Sequence, residues 1–213
     1  MRAIIIFVLS LMPFMAQAQA IAPKFKEGVH FSKLEKPLPE GISPVIEFFY
    51  YGCETCYKLA PAIAQWAYEK KVDISLIPVH SENAMVDEAR IFHTLTLVGA
   101  LGKMYEEGFL LVQSKESKLQ GVDRINEALD RHGVDKNKFW ETWKSDAVNQ
   151  RLASSAALTK QAQITKTPTF IVQGIYKVDI TSIKSTDELF ELLTYLMSKQ
   201  PSAEVPALLK KNH

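Results

Sequence analysis

The alternation of apolar and polar positions in the first third of the chain predicts a strand, a helix and a second strand. Residues 45–50 (VIEFFY) form an apolar, aromatic run of strand length that contains one charge, Glu47. After Gly52 the apolar residues follow a helical period, and residues 72–79 (VDISLIPV) form a second apolar run. This order is typical of a βαβ unit with two parallel strands. Turn residues before position 45 flank a short edge strand near residues 29–31.

The middle of the chain, from Ser81 to about Gln163, predicts helices only. Apolar residues at helical spacing mark the segments 85–101, 103–113, 122–132, 135–144 and 146–161. Strand signals return at residues 169–172 and 175–180, which a two-residue turn joins into a hairpin. A last amphipathic helix over residues 185–199 has Ser185 or Thr186 as its N-cap. The pattern predicts an α/β fold interrupted by a helical insertion.

The amino-acid composition excludes several classes of protein. The chain has 213 residues, of which 47% are hydrophobic and 23% charged, as in ordinary globular proteins. Lys and Arg together number 25 against 24 for Asp and Glu, so the chain lacks the basic footprint of a nucleic-acid-binding protein. The 2 cysteines exclude a disulfide-dense scaffold and any metal site built from four cysteines.

The first 20 residues have the layout of a secretory signal peptide. Arg2 precedes an apolar stretch over residues 3–15, and small residues follow at the A-x-A spacing that the signal peptidase recognises. We expect cleavage after Ala18 or Ala20, the alternative being an uncleaved anchor. The stretch is shorter than the roughly 20 residues that a membrane-spanning helix needs. The mature protein is therefore expected in an exported compartment, where thiols tend to be oxidised.

Both cysteines lie in one motif, Cys53-Glu54-Thr55-Cys56, between a predicted strand and a predicted helix. A helix N-terminus presents free N–H groups and about half a positive charge, so Cys53 is expected to be the attacking thiolate. Cys56, one turn further along, is expected to be the buried resolving thiol. Three other interpretations stay open: half of a zinc site, a structural disulfide, or two inert thiols. The histidines are scattered and lack zinc-ligand spacing, and so short a loop would be a poor staple.

Glu47 and Pro168 are two further candidate functional residues. A carboxylate in the middle of a buried strand is unfavourable unless it has a partner or a function, and Glu47 lies just upstream of the cysteines. It can move protons to and from Cys56, or it can pair with a basic residue at a strand end. Pro168 stands directly before the strand at 169–172, after Thr167, which indicates a fixed turn with either a cis or a trans bond.

These residues together resemble the DsbA family of periplasmic thiol:disulfide oxidoreductases. The resemblance rests on the order of four segments, and it covers essentially the whole mature chain. The segments are Leu34-Glu35-Lys36-Pro37, the stretch from Phe48 to Tyr57, the helical block, and Thr167-Pro168-Thr169-Phe170. It implies a thioredoxin fold with an inserted all-helical domain. The expected division is a signal peptide at 1–20, a thioredoxin-like domain at 21–80 and 164–200, the helical insertion at 81–163, and a flexible tail at 201–213.

The resemblance also implies roles for individual residues. Cys53 is the nucleophile, Cys56 the resolving cysteine, Glu47 the buried acid and Pro168 a cis-proline beside the cysteines. Thr167 offers backbone hydrogen bonds to a bound peptide. Five aromatic residues around the site can form a hydrophobic docking surface for unfolded chains. For Phe48 and Phe49, which lie on the strand, simple core packing is favoured. The five residues are Phe48, Phe49, Tyr50, Tyr51 and Tyr57.

The implied function is the introduction of disulfide bonds into exported, unfolded proteins by a monomeric periplasmic enzyme. The implied partners are client thiols and a quinone-linked membrane reoxidase, and neither an organic cofactor nor a metal is needed. A disulfide reductase or isomerase is the alternative, and a non-catalytic peptide-binding chaperone is the second.

The chain departs from the family at two places. The dipeptide between the cysteines is Glu54-Thr55 where the family usually has Pro-His. A negative charge at Glu54 opposes thiolate formation, so a weaker oxidant is expected. Leu76 falls near the place where many members carry a lysine beside the buried acid, so burial is expected to raise the pKa of Glu47 more freely.

Overall fold

The computed structural model describes residues 24–80, 83–114 and 121–199, without the side chains of residues 83 and 84. The expected signal peptide at 1–20, its cleavage site and the expected tail at 201–213 lie outside the described residues.

A five-stranded mixed sheet forms the centre of the described chain. Its strands are β1 (Phe31–Lys33), β2 (Val45–Phe49), β3 (Ile74–Pro78), β4 (Thr169–Val172) and β5 (Tyr176–Val178), in the order β1-β5-β4-β2-β3. Strands β2 and β3 are parallel, as the βαβ pattern predicts, and β4 lies antiparallel to both β2 and β5. The sheet therefore places β2, which leads to the cysteines, between two neighbours.

Two strands have boundaries that differ from those predicted from the sequence. The first strand begins at Phe31 instead of at position 29, because Val29 lies in a turn with 53% of its surface exposed and Phe31 pairs with Val178. The last strand stops at Val178 instead of at position 180. Asp179 then caps a 3₁₀ turn (Ile180–Ser182) by accepting a hydrogen bond from the Thr181 N–H at 3.1 Å.

The described part of the chain contains seven α-helices. They are α1 (Glu54–Lys70), α2 (Asn83–Leu97), α3 (Leu101–Gln113), α4 (Val122–Arg131), α5 (Lys136–Trp143), α6 (Asp146–Gln161) and α7 (Thr186–Ser198). Helices α2 to α6 follow one another between β3 and β4, which confirms the α/β fold with a helical insertion. Ser185 is the N-cap of α7, since its side chain accepts from the Glu188 N–H. None of the described helices is long and apolar enough to cross a membrane.

The core divides along the two faces of β2, because alternate residues of a strand point to opposite sides. Val45 and Phe49 pack on the side of α1, whereas Ile46 and Phe48 pack on the other side beside Leu158 of α6. The largest cluster joins Phe49 and both cysteines to apolar residues of α2, α3, α4 and α5. The cysteine pair is thus located where the sheet meets the helical insertion.

Candidate active site

The cysteines form a disulfide at the start of α1. Cys53 is the N-cap residue in an extended conformation, and its Sγ accepts a hydrogen bond from the Cys56 N–H at 3.1 Å. The pair therefore lies at the positive end of the helix, where a thiolate is stabilised. Cys53 keeps 6% of its surface exposed and Cys56 none, so Cys53 is the sulfur that another molecule can approach.

The loop that precedes Cys53 is fastened to the helical insertion. The Gln113 side chain of α3 donates to the Tyr51 carbonyl at 2.7 Å, and the Glu88 carboxylate of α2 accepts from the Gly52 N–H. Partial burial raises the pKa of Glu88, and the hydrogen bond from the Gly52 N–H opposes that rise. Neither anchor is predicted from the sequence. Each stands in an ordinary amphipathic helix far along the chain, and no local pattern distinguishes it from a surface residue.

The Thr167–Pro168 peptide bond is cis. The strand register brings this peptide bond beside the cysteines. Phe48 of β2 pairs with Thr169 of the antiparallel strand β4. Pro168 directly precedes Thr169, and the cysteine loop follows β2, so the two lie at the same end of this strand pair. Pro168 is buried and Thr167 is half-buried. The Thr167 backbone has no hydrogen bond to any other described residue. It is therefore free to pair with a second chain.

Glu47 is the centre residue of β2, on the face that α1 covers. Only 1% of its surface is exposed, and its Oε1 has no hydrogen-bond partner among the described residues. Its register neighbours in β3 and β4 are Leu76 and Phe170, which are both apolar. Burial raises the pKa of Glu47 from 4.5 to about 8. Such a carboxyl holds its proton at neutral pH and can exchange it near the working pH.

The pattern of the DSBA-like thioredoxin domain family matches residues 42–195. The chain belongs to this family. It is 28% identical over 208 residues to the thiol:disulfide interchange protein DsbA of Pseudomonas aeruginosa, a match that covers 95% of this chain and 99% of the relative. The crystal structure of a Pseudomonas aeruginosa DsbA superposes with a TM-score of 0.73 at 28% identity, over 81% of this chain and 93% of the other. A Proteus mirabilis DsbA, solved with a non-covalently bound peptide, shares the fold with a TM-score of 0.73 at 18% identity, over 83% of this chain and 100% of that one.

Membership of the DsbA family confirms the reaction class predicted from the sequence. The protein is a thiol:disulfide oxidoreductase, and the Cys53–Cys56 disulfide is its redox-active group. Within the described residues, no group of three or more His, Cys, Asp or Glu side chains is placed to hold a metal ion.

The dipeptide that departs from the DsbA pattern lies on the surface. The Glu54 carboxylate forms an ion pair with Lys58, one turn along α1, at 2.5 Å, and both side chains are more than two-thirds exposed. The hydrogen bond from Lys58 and its charge lower the pKa of Glu54, so this carboxylate is ionised. Lys58 opposes part of the negative charge that Glu54 brings to the cysteines. Thr55 is exposed.

Tyr51 does not lie on a docking surface, contrary to the expectation from the sequence. Its side chain is 1% exposed, and its ring packs edge-on against Phe49 and Phe109. The ring occupies the space over Gly108, where an added Cβ would overlap the Tyr51 Cζ. Phe48 and Phe49 are likewise core residues, as the packing alternative holds. Of the five aromatic candidates, Tyr50 and Tyr57 remain partly accessible.

Proposed function

We propose that this oxidoreductase works as a dithiol oxidase that introduces disulfide bonds into unfolded, exported proteins. The observation that carries the proposal is the placement of the disulfide. Its less buried sulfur, on Cys53, caps the positive end of α1, and its other sulfur, on Cys56, is fully enclosed. An incoming thiolate meets Cys53, and the electron pair of the broken bond goes to Cys56.

The first step forms a mixed disulfide. A client thiolate attacks Cys53 Sγ, the Cys53–Cys56 bond breaks, and Cys56 leaves as a thiolate. The unpaired backbone of Thr167, next to the cis-proline, is suited to hold the client in an extended conformation by backbone hydrogen bonds. Tyr50 and Tyr57 supply partly exposed aromatic surface for its apolar side chains.

The second step releases the client. A second client thiolate attacks the client sulfur of the mixed disulfide, and Cys53 leaves as a thiolate at the helix N-terminus. The client loses two electrons and gains a disulfide, while the enzyme becomes a dithiol. A quinone-linked membrane protein then takes the two electrons, and the proposed setting is the periplasm, where the enzyme acts as a monomer.

Glu47 serves as the proton reservoir for Cys56 in this scheme. It lies on the α1 face of the sheet, and its neutral form is available at pH 7 because burial raises its pKa to about 8. The Cys56 thiolate formed in the first step is buried away from water and needs a proton. Glu47 gives that proton and recovers it when Cys56 is oxidised again.

The deciding experiment measures both direction and mechanism. The oxidised protein is mixed with a reduced, unfolded client such as reduced ribonuclease A, and the recovery of client disulfides is followed. We expect Cys53→Ser to abolish the reaction. Cys56→Ser, first converted with oxidised glutathione to the Cys53–glutathione disulfide, should accumulate a Cys53–client disulfide as the client thiolate attacks Cys53 Sγ and glutathione leaves. A chaperone that holds clients without redox chemistry would bind them equally well with Cys53→Ser.

The reduction potential of the Cys53–Cys56 pair against glutathione separates an oxidase from a reductase. A potential near the value of about −120 mV known for DsbA supports the oxidase. A potential near the value of about −270 mV known for thioredoxin overturns it in favour of a reductase.

A further inference from the structure

A cavity of about 450 Å³ lies between α1 and α3 and reaches the sheet. Its volume is within the range of roughly 300–1,000 Å³ that small-molecule sites have. Most of its lining is apolar, and four polar side chains join it. The four polar residues are Glu47, Tyr57, Tyr105 and Glu106, and the apolar lining includes Leu76 of β3.

The cavity has a structural origin in the two helices. Ala60, Ala64 and Ala67 recur at helical spacing on one side of α1, and Gly102 has no side chain to fill the space from α3. The Tyr57 hydroxyl donates to the Glu106 carboxylate at 3.4 Å and ties the two helices together beside the opening. The small residues thus leave room between the two helices beside this hydrogen bond.

Two polar atoms at this cavity have no partner among the described residues. They are Oε1 of Glu47, whose side chain is almost fully buried, and the hydroxyl of Tyr105. Unpartnered buried polar atoms are uncommon in folded proteins, because each forgoes its hydration without a replacement. The lining contains two carboxyl groups and two phenols, and it contains no Lys, Arg or His side chain.

We propose that this cavity is a binding site for a small organic cation with an apolar body and an amidinium or ammonium head that reaches Glu47 and the Tyr105 hydroxyl. The apolar body fits against the alanines of α1 and Leu76, and the N–H groups of the head satisfy the two unpartnered oxygens. Glu106, exposed at the rim, adds a second negative charge. The site is distinct from the client-binding role of Thr167 and does not depend on the direction of the redox reaction.

Binding is linked to the protonation of Glu47. The groups that face Glu47 are Tyr105 and Glu106 from α3 and Tyr57 from α1, while β3 and β4 present the apolar Leu76 and Phe170. No basic group among the described residues lines the cavity, so the ligand itself supplies the positive charge. With the pKa of Glu47 near 8, about a tenth of the molecules carry the ionised form at pH 7 and about nine-tenths at pH 9. A cation that selects the ionised form therefore binds about tenfold more tightly at pH 9 than at pH 7.

The test uses benzamidine, whose charge does not change over this pH range, and benzamide as its neutral counterpart. Isothermal titration of the oxidised, full-length protein is carried out at pH 7 and pH 9. We expect benzamidine affinity to rise about tenfold between these values and benzamide to show no such rise. At pH 7 the heat should depend on the buffer, because Glu47 releases a proton on binding. The variant Glu47→Gln should remove the pH dependence, whereas Glu40→Gln, at an exposed carboxylate outside the cavity, should keep it.

A second variant tests the location independently of Glu47. Ala64→Leu introduces a larger helix-forming side chain at an exposed position of α1 that lines the cavity, and it should weaken benzamidine binding at both pH values. Amide chemical shifts should change around Ala60, Gly102 and Tyr105. Absence of benzamidine binding, equal binding of benzamide, or shifts confined to other surfaces would each overturn the proposal. None of these outcomes bears on client oxidation, so the proposed function and the cation site can fail separately.

Discussion

Replacing the buried acid of β2 by its neutral isostere should stabilise the protein, and it should do so only above acidic pH. Glu47 has a pKa of about 8 in the folded protein and 4.5 without burial. The folded state therefore holds a proton that the unfolded state releases. The stability that this proton gives is complete below pH 4.5 and is lost as the pH rises towards 8. A glutamine side chain at this position has no proton to lose, so the Glu47→Gln variant escapes this loss.

The magnitude follows from the two pKa values. Linkage gives a loss of about 3 kcal/mol at pH 7 and a limit of about 5 kcal/mol well above pH 8, relative to a group that never ionises. At pH 4 the difference is close to zero. For a chain of this size, about 3 kcal/mol corresponds to a rise of roughly 6–12 °C in the melting temperature.

Urea unfolding of the oxidised protein at pH 4, 7 and 9 measures this effect. The difference in unfolding free energy between Glu47→Gln and the parent should grow with pH, while the slope against urea stays the same. Glu40→Gln serves as the control, because an exposed carboxylate should give no comparable trend. A difference that is the same at all three pH values, or a variant that is less stable throughout, would show that Glu47 is not held in the neutral form by burial.

Three other predictions concern substitutions around the cysteines. Gly108→Ala should lower the melting temperature by roughly 2–12 °C, because the new Cβ overlaps the Tyr51 ring and overpacking costs about 1–3 kcal/mol; an unchanged melting curve would contradict that packing. Glu54→Gln should make the disulfide more oxidising and Lys58→Met less so, since each removes one charge of the ion pair; potentials against glutathione that move in the same direction would refute this assignment. Glu88→Ala should speed hydrogen exchange at the Gly52 N–H, because the carboxylate that accepts from this group is removed. Glu88→Gln should retain part of the protection.

Much of the fold follows from local signals that the sequence displays directly. The apolar run of β2, the helical period after Gly52 and the hairpin turn at Gln173-Gly174 each depend on residues that are near in sequence. The exact strand ends do not, because Phe31 and Val178 are fixed by pairing with each other across the sheet. Asp179 ends the last strand through a side-chain cap that apolar periodicity does not register.

The features of the active site likewise fall into two groups, those that the local sequence reveals and those that depend on packing between distant segments. The motif of Cys53 and Cys56 and the unusual position of Glu47 are visible in the sequence, because a reactive pair before a helix and a charge in an apolar strand both break a local rule. The burial of Tyr51 was not predictable, since it depends on the space over Gly108 in a distant helix. The contributions of Glu88 and Gln113 likewise arise only when the helical insertion packs against the cysteine loop.

The fastening of the cysteine loop by the helical insertion has a consequence for how the chain matures during synthesis. The cysteines emerge early, but the Gln113 side chain that holds the Tyr51 carbonyl is 62 positions further along the chain. A nascent chain that ends before α3 contains both thiols and helix α1, which carries them. It lacks Gln113 and also Gly108, over which the Tyr51 ring packs. The cysteine loop therefore reaches its final geometry only when the insertion docks, after about half of the protein has been made.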